Sequence, residues 1–439
     1  MTLVVSQNNR RVGLLVGTAD RGVVFLYDPH YLADPNARAI SHSLPLQEQE
    51  FSSKQCLPFF SGLLPDGEMR RRISEYLHLG ESSTLKLLEA LGRECAGSLV
   101  LQEEVDPEPN YSVQGTYRKV EEDELAELIR HMDVRPLLLG AKGLSLAGAQ
   151  QKISLARFSG DWHVPLDGAA SSHILKPSKV PFQDLAVNEY LCMQLAKRCA
   201  LPVADTELVM VEDIPVFVTE RYDRRRVSEH PPVIERMHQE DACQALGIMP
   251  DRKYEEDGGP GLGQLASLVQ KLSATPILGL QKLLHLVIFN FLIGNCDAHA
   301  KNISFVYDGE NSSGTLAPFY DLVSTRCYAQ LSPKLSMRIG GEYRIDSIRK
   351  EHFLKLAQEL GVGKRYMLSL LEEMSEHVRQ GFEVLSASPD AGRWGPLLSL
   401  LRQQTEARMQ QIRSRVQTKQ AGEFASLPLR VSFVIARTV

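Results

Sequence analysis

The sequence predicts an α+β chain of two lobes, one small and sheet-rich and one larger and mostly helical, preceded by a smaller α+β unit. Three observations carry this. Between Leu144 and Arg221, short β-branched or apolar runs dominate, broken by a single helical pattern. After Asp241 the strand pattern nearly vanishes and apolar residues recur at helical spacing. Residues 103–117 (EEVDPEPNYSVQGTY) are acidic and carry two prolines and a glycine, the composition of a connector. The expected division is 1–104, then 105–139 as linker and helix, a small lobe over 140–234, a helical lobe over 235–420, and a tail over 421–439 with no assigned role.

Each element follows from its pattern. In the first unit, 12–16 and 22–27 read as strands, 83–91 as a helix and 98–102 as a closing strand. The stretch 121–132 places Leu125, Leu128 and Ile129 on one helical face. The second unit offers strands at 152–158, 173–176, 207–211 and 214–220, around a helix near 184–199 with Leu185, Leu191 and Leu195 at helical spacing. Helical patterns then occupy 264–271, 277–293, 352–360, 364–377 and 396–413. The longest strongly apolar run, 283–295, is interrupted by His285 and Asn290 and falls short of the roughly 18–20 residues of a membrane span. It is expected to be a buried helix, with no membrane partner.

Composition excludes several classes. With 439 residues and 43% apolar content the chain can fill real cores, which excludes intrinsic disorder. Lys+Arg 49 against Asp+Glu 54 leaves a net charge of −5, so nothing in the whole-chain balance asks for a nucleic-acid backbone. DNA would be met only indirectly, through a partner. Seven cysteines without a C-x-x-C pair read as reduced, mainly buried thiols. No HExxH and no G-x-x-x-x-G-K-[ST] motif occurs. The N-terminal MTLVVSQNNRRVG lacks the apolar core of a secretory signal, so a cytoplasmic location is expected.

The strongest chemical signal is IGNCDAHAKN (293–302), just past the buried helix and before the strand-like ISFV. Asp297 followed five residues later by Asn302 is the spacing protein kinases use for a catalytic base and a magnesium ligand. Asp321, nineteen residues beyond Asn302, would supply a second metal-binding carboxylate. Phosphoryl transfer needs such hard oxygen ligands for Mg²⁺ and an acceptor for the hydroxyl proton. The alternative is that Asp297 only caps or turns its loop. Lys176 ends an apolar strand and Glu189 follows thirteen residues later in a helix, the strand-lysine and helix-acid arrangement that grips ATP phosphates. SLAGAQQK (145–152) is a small-residue turn into a strand, where backbone N–H groups can approach phosphate oxygens. The segment 218–224, with Glu220 and Tyr222, is the expected hinge beside the adenine, and Arg224 to Arg226 read as a charged surface strand. GGPG (258–261) reads as a structural loop.

Taken together, SLPLQ (43–47), FFSGLLPDG (59–67), SLAGAQQK (145–152), HILKP (173–177), ERYDR (220–224), HQEDACQALG (238–247), KYEEDGGPG (253–261), IGNCDAHAKN (293–302) and PFYD (318–321) make the chain similar to the HipA family. These are serine/threonine-kinase toxins of bacterial toxin–antitoxin pairs, and the likeness runs from about residue 10 to 413. It implies a bilobal protein-kinase-like fold, ATP and Mg²⁺ as cofactors, Asp297 as catalytic base, and Asn302 and Asp321 as metal ligands. It further implies Lys176 on the nucleotide phosphates, with Ala147, Gly148, Ala149, Gln150, Gln151 and Lys152 as the phosphate loop. Where ordinary kinases carry a lysine two positions after the base, His299 stands, and Lys301 comes two later; which of them steadies the γ-phosphate stays open. Ser145 is implied as an autophosphorylation site that switches the kinase off, which a charge change of about −1.5 to −2 beside bound phosphates makes physically sensible. The implied partners are a HipB-like helix-turn-helix antitoxin, bound with the help of residues 1–104, and a protein substrate of the aminoacyl-tRNA synthetase class. Two other readings are a catalytically silent nucleotide-binding co-repressor and a small-molecule kinase.

Overall fold

A computed structural model describes residues 1–20, 22–79, 83–103, 115–132, 151–178, 181–182, 184–229, 232–307, 313–388 and 392–413. The N-terminal unit is a four-stranded antiparallel sheet in the order Gly22–Tyr27, Arg10–Thr18, Thr2–Gln7, Leu99–Glu103. Thr2–Gln7 is an inner strand with neighbours on both sides and Leu3, Val4 and Val5 fully buried, so it reads as a continuous apolar run without alternation and escaped the sequence pattern. Helices Ser53–Gly62 and Thr84–Leu91 pack on this unit, with Phe25, Phe51, Phe59 and Phe60 filling the space between.

A six-stranded antiparallel sheet follows, ordered Tyr117–Lys119, Asp161–Pro165, Ile153–Phe158, His173–Pro177, Ile214–Glu220, Thr206–Val211. Its first strand comes from the segment whose composition suggested a connector. Tyr117 holds it there, donating to the Ala170 carbonyl (3.0 Å) and meeting Phe158 edge-on. Helix Glu122–His131 lays Leu125, Leu128 and Ile129 on the same core as Leu155 and Val216. Helix Leu185–Arg198 buries Ala186, Val187, Leu191 and Leu195 against Phe217 and the helical lobe.

The helical lobe contains Leu262–Leu272, Pro276–Ile293, Lys350–Glu359, Lys364–Ser386 and Gly395–Arg413. Pro276–Ile293 is longer than the apolar run suggested, and its 18 residues are long and apolar enough to cross a membrane by length and composition. It is instead surrounded by the three helices Leu262–Leu272, Lys364–Ser386 and Gly395–Arg413, with 61% of its length buried inside the protein. Strands persist beyond Asp241: Ser304–Tyr307, within the stretch read as strand-like, pairs with His238–Asp241 and Thr315–Leu316, and, against expectation, Lys334–Ile339 pairs with Glu342–Arg344. They are too short to show an alternating pattern. All seven cysteines are free, six of them buried.

Two buried polar clusters dock the N-terminal unit onto the lobes. Glu94 receives Arg221 (2.9 Å), Arg224 (3.2 Å) and Arg236 (2.5 Å). This corrects the surface expectation for Arg224: Arg225 and Arg226 are exposed, but Glu94 and the Gly97 carbonyl draw Arg224 inside. Glu240 accepts from Ser41 Oγ (2.5 Å), the His42 backbone (3.1 Å) and the Tyr307 hydroxyl (2.6 Å).

Candidate active site

The chemistry-bearing loop hangs from the C-terminus of Pro276–Ile293. Gly294 ends that helix at φ +76°, and a Cβ there would stand 2.3 Å from Arg408 Nη2, so glycine is required twice over. Asn295, 1% exposed, then gathers the loop. Its Oδ1 accepts from the Asp297 backbone (3.1 Å), while its Nδ2 donates to Asn290 Oδ1 (3.0 Å) and to the Asp321 carbonyl (3.3 Å). One amide therefore ties Asp297 to Asp321. Asn302 closes the turn by donating from Nδ2 to the Asp297 carbonyl (3.2 Å).

Asp297 accepts from the Tyr254 hydroxyl at 2.9 Å. One side of it opens to solvent, yet the surrounding protein raises its pKa by desolvation, against the pull of Lys253. A carboxylate raised in this way is the better proton acceptor near neutrality. Asp321 sits at φ +54°, a conformation Asp tolerates better than most residues. It forms a close ion pair with Lys176, whose ammonium also lies 2.7 Å from Glu189 Oε1. Lys176 and Glu189 are almost fully buried. One cation thus faces two carboxylates. Burial, with the nearby Asp321 charge, pushes Glu189 up to about 7 against the pull of Lys176, whereas Lys176 and Lys152 overcome desolvation at Asp321 and hold it well below the usual range. Desolvation also lowers Lys152 to about 8, against the attraction of Asp321.

Asn302, Asp321 and His299 line one cleft with Asn295 and Tyr320. Among the described residues no group of three or more His, Cys, Asp or Glu could cage a metal. A magnesium ion suits the donors present: the Asn302 amide oxygen and an Asp321 side chain still 33% exposed are hard oxygen ligands, and Mg²⁺ keeps water and phosphate oxygens in its shell.

The other expected site residues are placed differently. Lys301 is turned away from Asp297: its Nζ lies 3.3 Å from Asp241 and 3.7 Å from Asp66, and it donates to the Gly62 carbonyl at 3.5 Å. His299 is buried with Nδ1 unpartnered and its ring edge-on to Tyr254, and desolvation lowers it to about 3, so it is neutral. Glu220 is exposed, with its N–H donating to the Asp205 carbonyl (2.9 Å) and its carbonyl accepting from Thr219 (3.3 Å). Tyr222 stacks on Tyr320 (5.6 Å between centroids), which lines the cleft, and donates to Gln239. Gln151 and Lys152 are described, whereas Ser145, Ala147, Gly148, Ala149 and Gln150 lie outside the described residues, as does the tail 421–439. Sequence reasoning gave no role to Asn295, Lys253, Tyr254 or Asp66. All four stand inside the motifs quoted above, but only tertiary contacts reveal their work.

A family model described as HipA-like C-terminal domain matches residues 144–382, and one described as HipA N-terminal domain matches residues 3–102. The chain is 38% identical to the Sinorhizobium fredii protein Y4mE over 385 residues, covering 84% of this chain and 90% of the relative. It is 29% identical over 377 residues to the serine/threonine-protein kinase toxin HipA of Shewanella oneidensis, covering 82% and 84%. The solved Shewanella oneidensis complex of HipA, HipB and operator DNA contains a chain that superposes with a TM-score of 0.81 at 25% identity, covering 93% of this chain and 97% of that one.

Proposed function

This chain belongs to the HipA family of serine/threonine-protein kinase toxins, and on that premise we propose that it transfers the γ-phosphoryl group of ATP to a protein hydroxyl in the cleft between its lobes. The observation that carries this is the buried Lys176–Glu189 pair meeting Asp321, beside a loop that presents Asp297 and Asn302. Lys176, with Lys152, grips the nucleotide phosphates; Asp297 accepts the hydroxyl proton. Asn302 and Asp321 would hold Mg²⁺, which when bound neutralises charge building on the phosphates. Ala147 to Lys152 form the phosphate loop, and phosphorylation of Ser145 at its head is the off-switch.

The division into 1–104, 105–139, 140–234 and 235–420 assigns the first unit to a HipB-like helix-turn-helix antitoxin, which brings the chain to DNA. The solved relative assembled with HipB and operator DNA supports a HipB-like partner. The substrate class is an aminoacyl-tRNA synthetase, and the place of action is the cytoplasm.

Purified chain incubated with magnesium and γ-labelled ATP should label itself, and Asp297→Asn should lose at least ~10²-fold of that transfer. Ser145→Ala should keep transfer to other proteins but no longer inactivate itself. Nucleotide binding without any phosphoryl transfer by the unaltered chain would overturn the proposal.

A further inference from the structure

Three basic side chains flank the catalytic loop, and they differ in what their charge is free to do. Lys301 is 4% exposed at its side chain and lies between two carboxylates, Asp241 and Asp66, so its charge is already compensated. His299 carries no charge near neutrality. Lys253 is in another position. Its only ion-pair partner among the described residues is Asp66, at 3.7 Å, beyond hydrogen-bond distance, and its side chain keeps 12% of its surface open. The ammonium stands 5.4 Å from the centroid of the Tyr254 ring, whose hydroxyl donates to Asp297.

The backbone fixes this placement. Lys253 and Tyr254 lie on a loop that folds back on itself through the Gly259 N–H, which donates to the Tyr254 carbonyl at 2.9 Å. A Cβ on Gly259 would meet the Arg252 carbonyl at 2.1 Å, so this fold-back needs glycine. Asp66 comes from the other side, from the N-terminal unit at the head of helix Gly67–Tyr76. It is 8% exposed, and neither of its oxygens has a hydrogen-bond partner among the described residues. A buried carboxylate whose ion-pair partners among the described residues, Lys253 and Lys301, both stand at 3.7 Å is a loose partner that an incoming anion can displace.

We propose that Lys253 is the cation that meets the γ-phosphoryl group during transfer, and that Asp66 of the N-terminal unit holds it ready until nucleotide arrives. This rests on the kinase reading of the site. In the step, the substrate hydroxyl oxygen bonds to the γ-phosphorus, the bond from that phosphorus to the β–γ bridging oxygen breaks, the hydroxyl proton passes to Asp297, and ADP leaves. The Lys253 ammonium takes no part in the proton transfer and offsets charge on the equatorial oxygens. The influence of Lys253 on Asp297, which opposes the rise caused by desolvation, agrees with this proximity. The N-terminal unit then completes the active site in addition to any docking role.

The test compares ATP with ADP, because only ATP carries the group Lys253 would touch. Lys253→Gln should lower kcat ~10²–10³-fold, bind ADP within ~3-fold of the unaltered chain, and lose its preference for ATP over ADP. Lys253→Arg should restore part of kcat. Asp66→Asn, a change to a positioning residue, should lower kcat less, by ~3–10-fold, with ADP affinity kept. Retained ADP binding shows that each variant is folded. A Lys253→Gln chain with kcat within ~3-fold of the unaltered one, or with ADP affinity falling as far as ATP affinity, overturns the proposal. If the unaltered chain binds ATP and transfers nothing, the kinase reading falls, and this assignment falls with it.

Discussion

At the scale of single residues, the site turns on groups whose work is set by partners distant in the chain. Asn295 is the clearest. Its buried amide satisfies the Asp297 N–H, the Asp321 carbonyl and Asn290 at once, so Asn295→Ala leaves three buried or part-buried polar groups short of a partner. Each such group costs about 1–3 kcal/mol. The expected result is a thermal-unfolding loss of a few kcal/mol and a fall in kcat larger than any rise in the KM for ATP, since the loop loses its tie to Asp321 more than the nucleotide loses contacts. Unchanged kcat in a folded Asn295→Ala chain would remove Asn295 from the site. Asp297, Asn302, Lys176 and Asp321 were legible in the sequence because phosphoryl chemistry dictates residue type and spacing. Asn295 was not, although it lies in the same motif, because an amide's role depends on a carbonyl 26 residues further on. The choice between His299 and Lys301 was equally closed to sequence. Lys301 is committed to Asp66 and Asp241, and His299 is neutralised by burial.

At the scale of elements, the long helices were legible from their apolar spacing and the strands Ile153–Phe158, His173–Pro177, Thr206–Val211 and Ile214–Glu220 from their β-branched runs, whereas Thr2–Gln7, Lys334–Ile339 and Glu342–Arg344 were not. The Arg224–Glu229 strand, paired with Pro232–Arg236, reads as surface charge until Glu94 is placed beneath it. The element that matters most to the proposed chemistry is Pro276–Ile293, because its end aims the loop that carries Asp297 and Asn302. There Arg408, from helix Gly395–Arg413, donates to the Leu292 carbonyl at 3.1 Å, a cation on the negative end of the helix dipole. Desolvation lowers it to about 10, so it stays protonated at neutral pH. Gly294→Ala would place a methyl against that guanidinium and force a left-handed conformation that costs about 1–2 kcal/mol by itself. Denaturant unfolding should show a loss of about 2–4 kcal/mol. Combining it with Arg408→Ala should give a loss smaller than the sum of the two single changes, because the clash is shared. Strict additivity would mean that the guanidinium does not crowd the cap.

At the scale of the whole molecule, the order of units was legible from composition and pattern, but their docking was not. Ser41 and Glu240, 199 residues apart, meet inside the protein, and no local signal announces such a pair. Glu240 holds the N-terminal unit against the helical lobe, and burial raises it to about 7 in spite of its hydrogen bonds from Ser41, Tyr307 and the His42 backbone. The charged and titratable groups facing it are Asp241, itself raised chiefly by burial, Tyr27 and Tyr307, both raised by burial and protonated at neutrality, and His42, lowered by burial. His238, edging the same cluster through Tyr307, is lowered by desolvation to about 4 and stays neutral above it. The sign follows from linkage. The folded chain binds the Glu240 proton more tightly than the unfolded one, so its contribution is fully present below the ordinary carboxyl value of 4.5 and is lost as pH rises through about 7. Glu240→Gln, which keeps a neutral group of the same shape, should therefore flatten the pH dependence of stability between 4.5 and 7 and leave the variant more stable than the unaltered chain at pH 8, by about 1–3 kcal/mol. Unfolding midpoints measured across that range decide it. A variant whose stability still falls with pH as steeply as the unaltered chain's would place the titrating group elsewhere in the interface.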